Sequence, residues 1–147
     1  MEAASSIVGL YRLLVYTQTV VDTGEVFYEA SGKKAAGYIH YTGDGRMLVL
    51  MVLNKDERPR PENPFLATDE QASGLFRTTT AYAGAYEFDG HTVQHHIDIS
   101  WNETWSGTTQ VRSVQKDGDK FVLTSPPFPS PQDGRMNVAT IVWERVS

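Results

Sequence analysis

The stretch Tyr82-Ala-Gly-Ala-Tyr-Glu-Phe-Asp-Gly-His-Thr-Val-Gln-His-His-Ile-Asp-Ile-Ser100 decides how this chain folds. Apolar and polar residues alternate on both sides of Asp89-Gly90, a dipeptide that strongly predicts a tight hairpin turn. The stretch therefore predicts two antiparallel strands. It also supplies most of the side chains suited to chemistry, including the adjacent histidines His95 and His96.

The two faces of this hairpin differ in character. If Asp89-Gly90 is a two-residue turn, counting outward from it pairs Gly84 with His95. One face then carries the aromatic and aliphatic residues, and the other carries alanines and charged groups. Because the apolar face is expected to be buried, His95 is predicted to lie inside, under the space left by Gly84, while His96 points outward.

The same counting applies to the turn at Asp117-Gly118. One face of that hairpin combines Phe121 with Gln110 and Arg112. When both apolar faces point inward, Arg112 comes close to His95 on a neighbouring strand. The connection before Gln110 does not fix this register, and a slip of one residue would turn Arg112 to the outside.

Most of the remaining chain also alternates as strands do. The further predicted strands are Leu10–Val20, Glu25–Glu29, Gly37–Tyr41, Arg46–Leu53 and Asn137–Val146. Thr68 and Gln71 form a capping box that predicts one short helix, after a proline-rich surface loop at 54–67. About nine strands with no long crossover predict an all-β, antiparallel up-and-down sheet, and closure into a barrel would remove its exposed edges.

The bulk composition narrows the classes of function. A chain of 147 residues fits a single domain, which we expect to span 1–147. It has no cysteine, which excludes thiol catalysis, and a net charge of −5 with no basic run, which argues against nucleic acid and anionic membranes. No stretch is long and apolar enough to span a membrane, so we expect a cytoplasmic location; a homodimer remains open.

Two residues are the candidates for catalysis. His95 is a possible general acid or base near neutral pH, and the alternative is an interior histidine satisfied by a tyrosine or a carbonyl. Arg112, with Gln110, is a candidate to hold an oxygen-rich ligand group, because a buried arginine needs a polar partner. The alternatives are a surface arginine or a structural ion pair.

The candidate ligand-binding residues are mostly aromatic. They are Tyr38, His40, Tyr82, Tyr86, Trp101, Trp105, Gln110 and Phe121. Tyr38 and His40 share one strand face, and the length of the turn that follows decides whether it is inside. Trp101 and Trp105 are expected to cover one mouth of the barrel, as a ligand gate or a simple plug. Since His95 and His96 point to opposite faces, no metal site is expected, and no cofactor motif is present.

The chain resembles the lipocalin-like domain family of small single-domain proteins. The matching segments are 7–13, 37–47, 82–88, 95–97, 105–112 and 142–146. The resemblance implies a barrel closed around a small-molecule cavity. Lipocalin-type chains usually carry Gly-x-Trp in the first strand, whereas this chain has Gly9-Leu-Tyr11, so Tyr11 and Arg145 are expected to replace the usual plug at the barrel floor.

The resemblance also implies a range of functions. The leading hypothesis is a cofactor-independent cyclase or isomerase acting on a polycyclic or polyketide-like molecule, with His95 moving a proton and Arg112 and Gln110 polarising a carbonyl. The second hypothesis is a carrier or sensor of a hydrophobic ligand. The third is a partner-binding domain whose barrel is a filled core.

Overall fold

The computed structural model describes residues 6–130 and 133–147 as one continuous antiparallel sheet with a short helix. The elements are β1 (Gly9–Val20), β2 (Val26–Ser31), β3 (Ala35–Tyr41), β4 (Arg46–Leu53), α1 (Asp69–Arg77), β5 (Thr79–Phe88), β6 (Thr92–Ser100), β7 (Thr109–Asp117), β8 (Lys120–Thr124), β9 (Phe128–Pro129) and β10 (Met136–Arg145). Eight strands run in the order β1-β3-β4-β5-β6-β7-β8-β10, and β10 pairs with β1 to close the barrel. β2 and β9 are additional strands, paired with β1 and β10. The predicted all-β barrel is confirmed.

The helix begins at the predicted capping box. The Thr68 hydroxyl accepts from the Gln71 backbone N–H at 3.1 Å, and the Gln71 side chain accepts from the Thr68 N–H at 2.9 Å. Arg58, from the preceding loop, donates to the carbonyl of Leu75 and the hydroxyl of Thr79, which ties the loop to the helix and to β5. In the described part of the chain, no helix is long enough to cross a membrane.

The turn between β5 and β6 is longer than the sequence predicted. Phe88 pairs with Val93, because Asp89 Oδ1 accepts from two backbone N–H groups and forms a wider loop. His95 therefore lies opposite Tyr86 instead of Gly84. The prediction that Gly84 leaves open space over the imidazole is wrong. From Gly84 to Phe88 the pairing is displaced by two residues, and beyond the bulge at Ala83/Gly84 it is displaced by three. An even displacement keeps each side chain on its face, so His95 is still inside.

The hairpin of β7 and β8 shows the same pattern. Asp117 pairs with Lys120, so the two turn residues are Gly118 and Asp119, one position later than predicted. Gly118 adopts a φ of 61°, in the left-handed region that glycine tolerates. Val114 consequently faces Leu123, and the predicted partners again differ by two residues while the faces are retained.

One end of the barrel is closed by a floor cluster of Tyr11, Tyr41, Phe121 and Arg145. Tyr11 stacks on Phe121 with ring centroids 4.8 Å apart, and the Arg145 guanidinium lies 5.1 Å from the Tyr11 ring centroid. Arg145 also donates to the Tyr11 hydroxyl at 3.1 Å. Glycine suits position 9, because its φ of 150° is one that other residues rarely adopt and a Cβ there would lie 3.0 Å from the backbone oxygen of Ser147. The predicted floor of Tyr11 and Arg145 is confirmed.

The opposite end of the barrel is open. The short turns after β3, β5 and β7 all lie near the floor cluster, as shown by the bonds from Tyr86 N to Gly45 O and from Arg145 N to Asp119 O. The longer connections at 54–78 and 101–108, together with residues 125–130, surround the other end. This arrangement places a rim of long loops over a base of short turns.

Candidate ligand-binding site

A cavity of about 580 Å³ occupies the open half of the barrel. Its wall is mainly aliphatic and aromatic, and the apolar residues that form it include Ile39, Val49, Met51, Leu123, Ile141, Trp105, Trp143 and Phe128. Pro126 and Pro127 contribute to the rim. The volume and lining suit a small molecule with several rings or a folded chain.

His95 is held deep in this cavity by two tyrosines. Its Nε2 lies 2.6 Å from the Tyr41 hydroxyl, and its Nδ1 lies 2.7 Å from the Tyr82 hydroxyl. The imidazole is completely buried, and burial, together with the positive charge of Arg112, lowers the pKa of His95 to about 3. His95 is therefore neutral near pH 7, with both ring nitrogens engaged.

The available acceptors decide which group donates in each hydrogen bond between His95 and the two tyrosines, which we call the tyrosine–histidine chain. The Tyr41 side chain is fully buried, and the described residues offer its hydroxyl proton one acceptor, His95 Nε2. Because a buried donor without an acceptor is costly, Tyr41 donates to Nε2 and the ring proton is on Nδ1. Nδ1–H then donates to the Tyr82 oxygen, and the Tyr82 proton is left for the cavity that Tyr82 lines.

Both tyrosines keep their protons. Burial raises the pKa of Tyr82 to about 12 and raises the pKa of Tyr41 well above its usual value of 10.0. The tyrosine–histidine chain is thus a neutral series of polarised hydrogen bonds that ends in a phenol O–H donor.

Arg112 carries the charge of the cavity. Gln110 lies opposite His95, and Arg112 lies two residues further along β7, opposite Val93, on the same inward face. The Arg112 guanidinium donates to the carbonyl of Val111 at 2.8 Å, and within residues 6–130 and 133–147 no carboxylate pairs with it. No Asp, Glu or Lys is among the described residues that line the cavity. The inward orientation predicted for Arg112 is confirmed.

Comparison with known families agrees with this geometry. A family model described as a lipocalin-like domain matches residues 8–146, from the residue before β1 to the residue after β10. The chain belongs to the lipocalin-like domain family. No curated protein matches the chain at a significant level. The lipocalin-like fold is compatible with binding of small hydrophobic molecules, which is what the lining of this cavity also suits.

Several residues predicted from the sequence line the cavity of this lipocalin-like barrel. They are His95, Arg112, Tyr82, Gln110 and Trp105. Trp105 packs edge-on against Tyr82 with centroids 5.7 Å apart. Trp101 stands behind Trp105, at 5.4 Å, and donates its indole N–H to Phe76 O at 3.3 Å, so it joins the rim to α1 without lining the cavity.

Besides Trp101, four of the predicted ligand-binding residues do not line the cavity of the lipocalin-like barrel. Tyr38 and His40 are exposed on its outer surface, because Tyr41 pairs with Met47 and the alternation of β3 buries Ile39 and Tyr41. Their assignment to the cavity is wrong.

Tyr86 and Phe121 do point inward, but below the cavity. The Tyr86 hydroxyl donates to the carbonyl of Thr42 at 2.8 Å, and Phe121 is part of the floor cluster.

Two residues of the site were missed by sequence reasoning. Tyr41 was not recognised because the face of β3 could not be assigned without the length of the following turn. Trp143, in β10, lines the cavity and is buried, and its indole N–H has no acceptor among the described residues. The alternation Ala139, Ile141, Trp143 in the closing strand was the signal that could have identified it.

Proposed function

We propose that this lipocalin-like barrel binds an apolar, oxygen-bearing molecule of polycyclic or polyketide-like type and acts on it as a cofactor-independent cyclase or isomerase. The observation that carries the proposal is the tyrosine–histidine chain, which ends in the unused O–H of Tyr82 inside a cavity. A filled structural core would have no use for a donor of this kind.

Binding rests on the size and polarity of the cavity. Its volume of about 580 Å³ lies within the range of ligand pockets, roughly 300–1,000 Å³. Trp105 offers an aromatic ring at the rim, and Arg112 supplies the charge, with no carboxylate to neutralise it among the described residues. A ligand with apolar rings and one oxygen acceptor or anionic oxygen matches this combination.

Catalysis rests on the donors. When a carbonyl oxygen accepts from Tyr82 O–H and lies near the Arg112 charge, the carbonyl carbon becomes more electrophilic. The negative charge that develops on the oxygen as a nucleophile adds is stabilised by the same two groups. A single donor positioned for a developing oxyanion is typically worth about 3–4 kcal/mol of barrier. Tyr82 thereby joins Arg112 in polarising the carbonyl, and His95, which was expected to move a proton, becomes the residue that positions and polarises Tyr82.

The type of reaction follows from what the lining contains. Among the described cavity residues there is no carboxylate, and His95 is engaged at both ring nitrogens, so a strong general base is not on hand. Cyclisation by addition of an enol or hydroxyl group of the substrate to its own carbonyl forms one bond and breaks the C=O π bond, and the proton of the nucleophile ends on the former carbonyl oxygen. This step needs an activated carbonyl and a folded substrate but no strong base, and it matches the cavity. Cyclisation is therefore favoured over an isomerisation that needs proton removal by a side chain.

The second candidate is a non-catalytic carrier or sensor. The engagement of both His95 nitrogens favours it, since a binding protein needs donors to hold its ligand and no group that moves protons. The two candidates make the same prediction about binding and opposite predictions about turnover.

Binding can be tested with two fluorescent probes that share an aromatic skeleton. 1-Anilinonaphthalene-8-sulfonate carries a sulfonate, whereas N-phenyl-1-naphthylamine is neutral. Arg112→Met should weaken binding of the sulfonate probe by tenfold or more, about 1.4 kcal/mol. The affinity for the neutral probe should stay within about twofold of the wild-type value. Arg46→Met, on the outer surface and paired with Asp98 at 2.5 Å, is the matched control. Equal losses for both probes would count against an anion-binding role for Arg112.

Turnover can be tested by native mass spectrometry after incubation with an extract of the source organism. The expected result is a bound molecule that is converted over time by the wild-type chain. Tyr82→Phe should retain binding and lose conversion by about 100-fold, the typical effect of one oxyanion donor. A ligand returned unchanged by the wild type would favour the carrier. Conversion by Tyr82→Phe at the wild-type rate would overturn the catalytic role of Tyr82.

A further inference from the structure

The outer surface of β3–β6 carries a group of exposed apolar side chains. Tyr38, Leu48, Leu50 and Ile99 expose 52%, 62%, 52% and 66% of their surface. All four lie on β3, β4 and β6, within the run of four neighbouring strands β3-β4-β5-β6. Exposed leucines are ordinary when scattered, whereas a contiguous group marks an interaction site.

The strand register shows that these side chains are contiguous. Directly paired residues form two adjacent rows, His40–Leu48–Ala83–Ile99 and Tyr38–Leu50–Ala81. We call these two rows the outer apolar face. Four strands spaced about 4.8 Å apart and two rows about 7 Å apart give the face roughly 300 Å² of flat area, once side chains are included.

The surroundings of the outer apolar face are balanced in charge. Arg46 pairs with Asp98 at 2.5 Å, and Arg12 pairs with Glu144 at 2.7 Å, both beside the two rows. Within the rows, His40 is the one titratable group besides the Tyr38 phenol. A partner with a strong charge of either sign would gain little here, so the partner should present an apolar surface of its own.

We propose that the outer apolar face is the two-fold interface between two copies of this chain. The arrangement of large and small side chains on the face supports a two-fold interface. The large side chains Leu48 and Leu50 stand on β4, directly beside the small Ala81 and Ala83 of β5. A two-fold axis sets a surface against itself, so the leucine ridge of one copy fits the alanine valley of the other.

The size of the face sets the strength of the dimer. A stable interface typically buries about 800 Å² per partner, which is more than this face provides, so the dimer should be reversible with Kd in the range of tens to hundreds of µM. Each chain has a net charge of −5, and the resulting repulsion is screened by salt. Association should therefore strengthen as the salt concentration rises.

Sedimentation equilibrium tests the proposal with the intact chain. Between about 5 and about 500 µM, the wild type should shift from monomer to dimer, and more so at about 0.5 M salt than at about 0.05 M. Leu48→Glu should remain monomeric throughout. Leu66→Glu is the matched control, since Leu66 is 74% exposed but lies in the loop before α1, and it should dimerise like the wild type.

A second variant distinguishes a shape-complementary interface from non-specific hydrophobic association. Ala83→Trp adds apolar surface but fills the valley, so it should raise Kd by tenfold or more. Circular dichroism and thermal unfolding verify that each variant is folded. A monomeric wild type at every concentration would overturn the proposal. So would loss of the dimer in Leu66→Glu to the same extent as in Leu48→Glu, or tighter association in Ala83→Trp. Ligand binding does not bear on it, because the face lies outside the cavity.

Discussion

The two halves of the barrel interior are built by the same strands and differ in how their polar groups are satisfied. In the floor cluster, the Arg145 guanidinium lies over Tyr11 and donates to its hydroxyl and to the carbonyls of Val8 and Ser147. In the cavity half, Arg112 has no carboxylate partner among the described residues, and the Tyr82 proton has no acceptor in the tautomer we assign. The arginine of the closed half thus has its hydrogen-bond acceptors, whereas the open half holds donors that have no acceptor among the described residues.

Tyr41 links the two halves. It packs edge-on against Phe121 at 5.8 Å below, and its hydroxyl holds His95 Nε2 above. Burial in the floor fixes the ring, and the fixed ring fixes the imidazole. The fully packed end of the barrel thus holds the donors of the other end in place while they have no partner.

The largest expected effect comes from opening the packed half. Phe121→Ala should destabilise the fold by about 3–5 kcal/mol, since the Phe121 ring is fully buried against Tyr11 and Tyr41. Ile141→Ala, in the cavity wall, should cost about 2 kcal/mol, because that side chain already borders open space. Urea unfolding measures both. Equal costs would remove the energetic distinction between the two halves.

The next effect is a dependence of stability on pH. The pKa of His95 is lowered from 6.5 to about 3 in the folded chain, so the unfolded chain binds its proton first. The stabilisation is therefore complete above pH 6.5 and is lost as the pH falls toward 3, at about 1.4 kcal/mol per unit. Unfolding free energies at about pH 7.5 and pH 4.5 should differ by about 3 kcal/mol from this group.

The matched variants for this experiment are the two adjacent histidines. His95→Gln should largely remove the difference in unfolding free energy between the two pH values. His96→Gln should retain that difference, since His96 is on the outer surface beside Glu87. An unchanged pH slope in His95→Gln would show that the imidazole is not held neutral by the fold.

A smaller effect tests the tyrosine–histidine chain itself. Tyr41→Phe leaves His95 Nε2 without a donor and should cost about 1–3 kcal/mol. Tyr28→Phe removes a hydroxyl bonded to Asn54 Oδ1 at 2.6 Å in a half-buried position, and should cost less than about 1 kcal/mol. Nitrogen-15 chemical shifts of the wild type should show the proton on Nδ1. A proton on Nε2 would reverse the direction of the chain and withdraw the free Tyr82 donor.

The smallest effect concerns the arginine of the floor cluster. Arg145→Met should cost about 1–2 kcal/mol through lost contact with the Tyr11 ring and lost hydrogen bonds. Arg12→Met breaks an exposed pair with Glu144 and should cost less than about 0.5 kcal/mol. Chemical denaturation resolves the two. A similar loss for Arg12→Met would mean that Arg145 acts as an ordinary surface charge.

The sequence predicted well which side of the sheet a side chain points to, and it predicted poorly which residues pair across strands. Both outcomes have the same geometric reason. Both Asp-Gly turns were displaced by two residues in pairing, and side chains alternate with a period of two, so His95 and Arg112 kept their inward orientation. The partner of His95 changed from Gly84 to Tyr86. Alternation is encoded in neighbouring residues, whereas turn length depends on backbone hydrogen bonds such as those of Asp89.

Other features left no local signal. The β5–β6 pairing shifts where Gly84 meets Ile97, and Gly84 is needed there because a Cβ would collide with the carbonyl oxygen of His96. Glycine in a strand indicated a close approach, but not which backbone comes close. The outward orientation of Tyr38 likewise depends on a turn whose Gly-rich sequence is compatible with several lengths.

The pairing of β1 with β10 sets how this barrel forms in time. Tyr11 lies opposite Arg145, so the first and last strands must meet across almost the whole chain. Closing a loop of that length has a large entropic cost, and contacts so distant in sequence are typical of domains that fold in milliseconds to seconds. Before that encounter, β1 and β10 each present an unpaired edge. Until β1 and β10 pair, these edges can join the strands of a neighbouring chain, so closure of the barrel also protects the chain from aggregation.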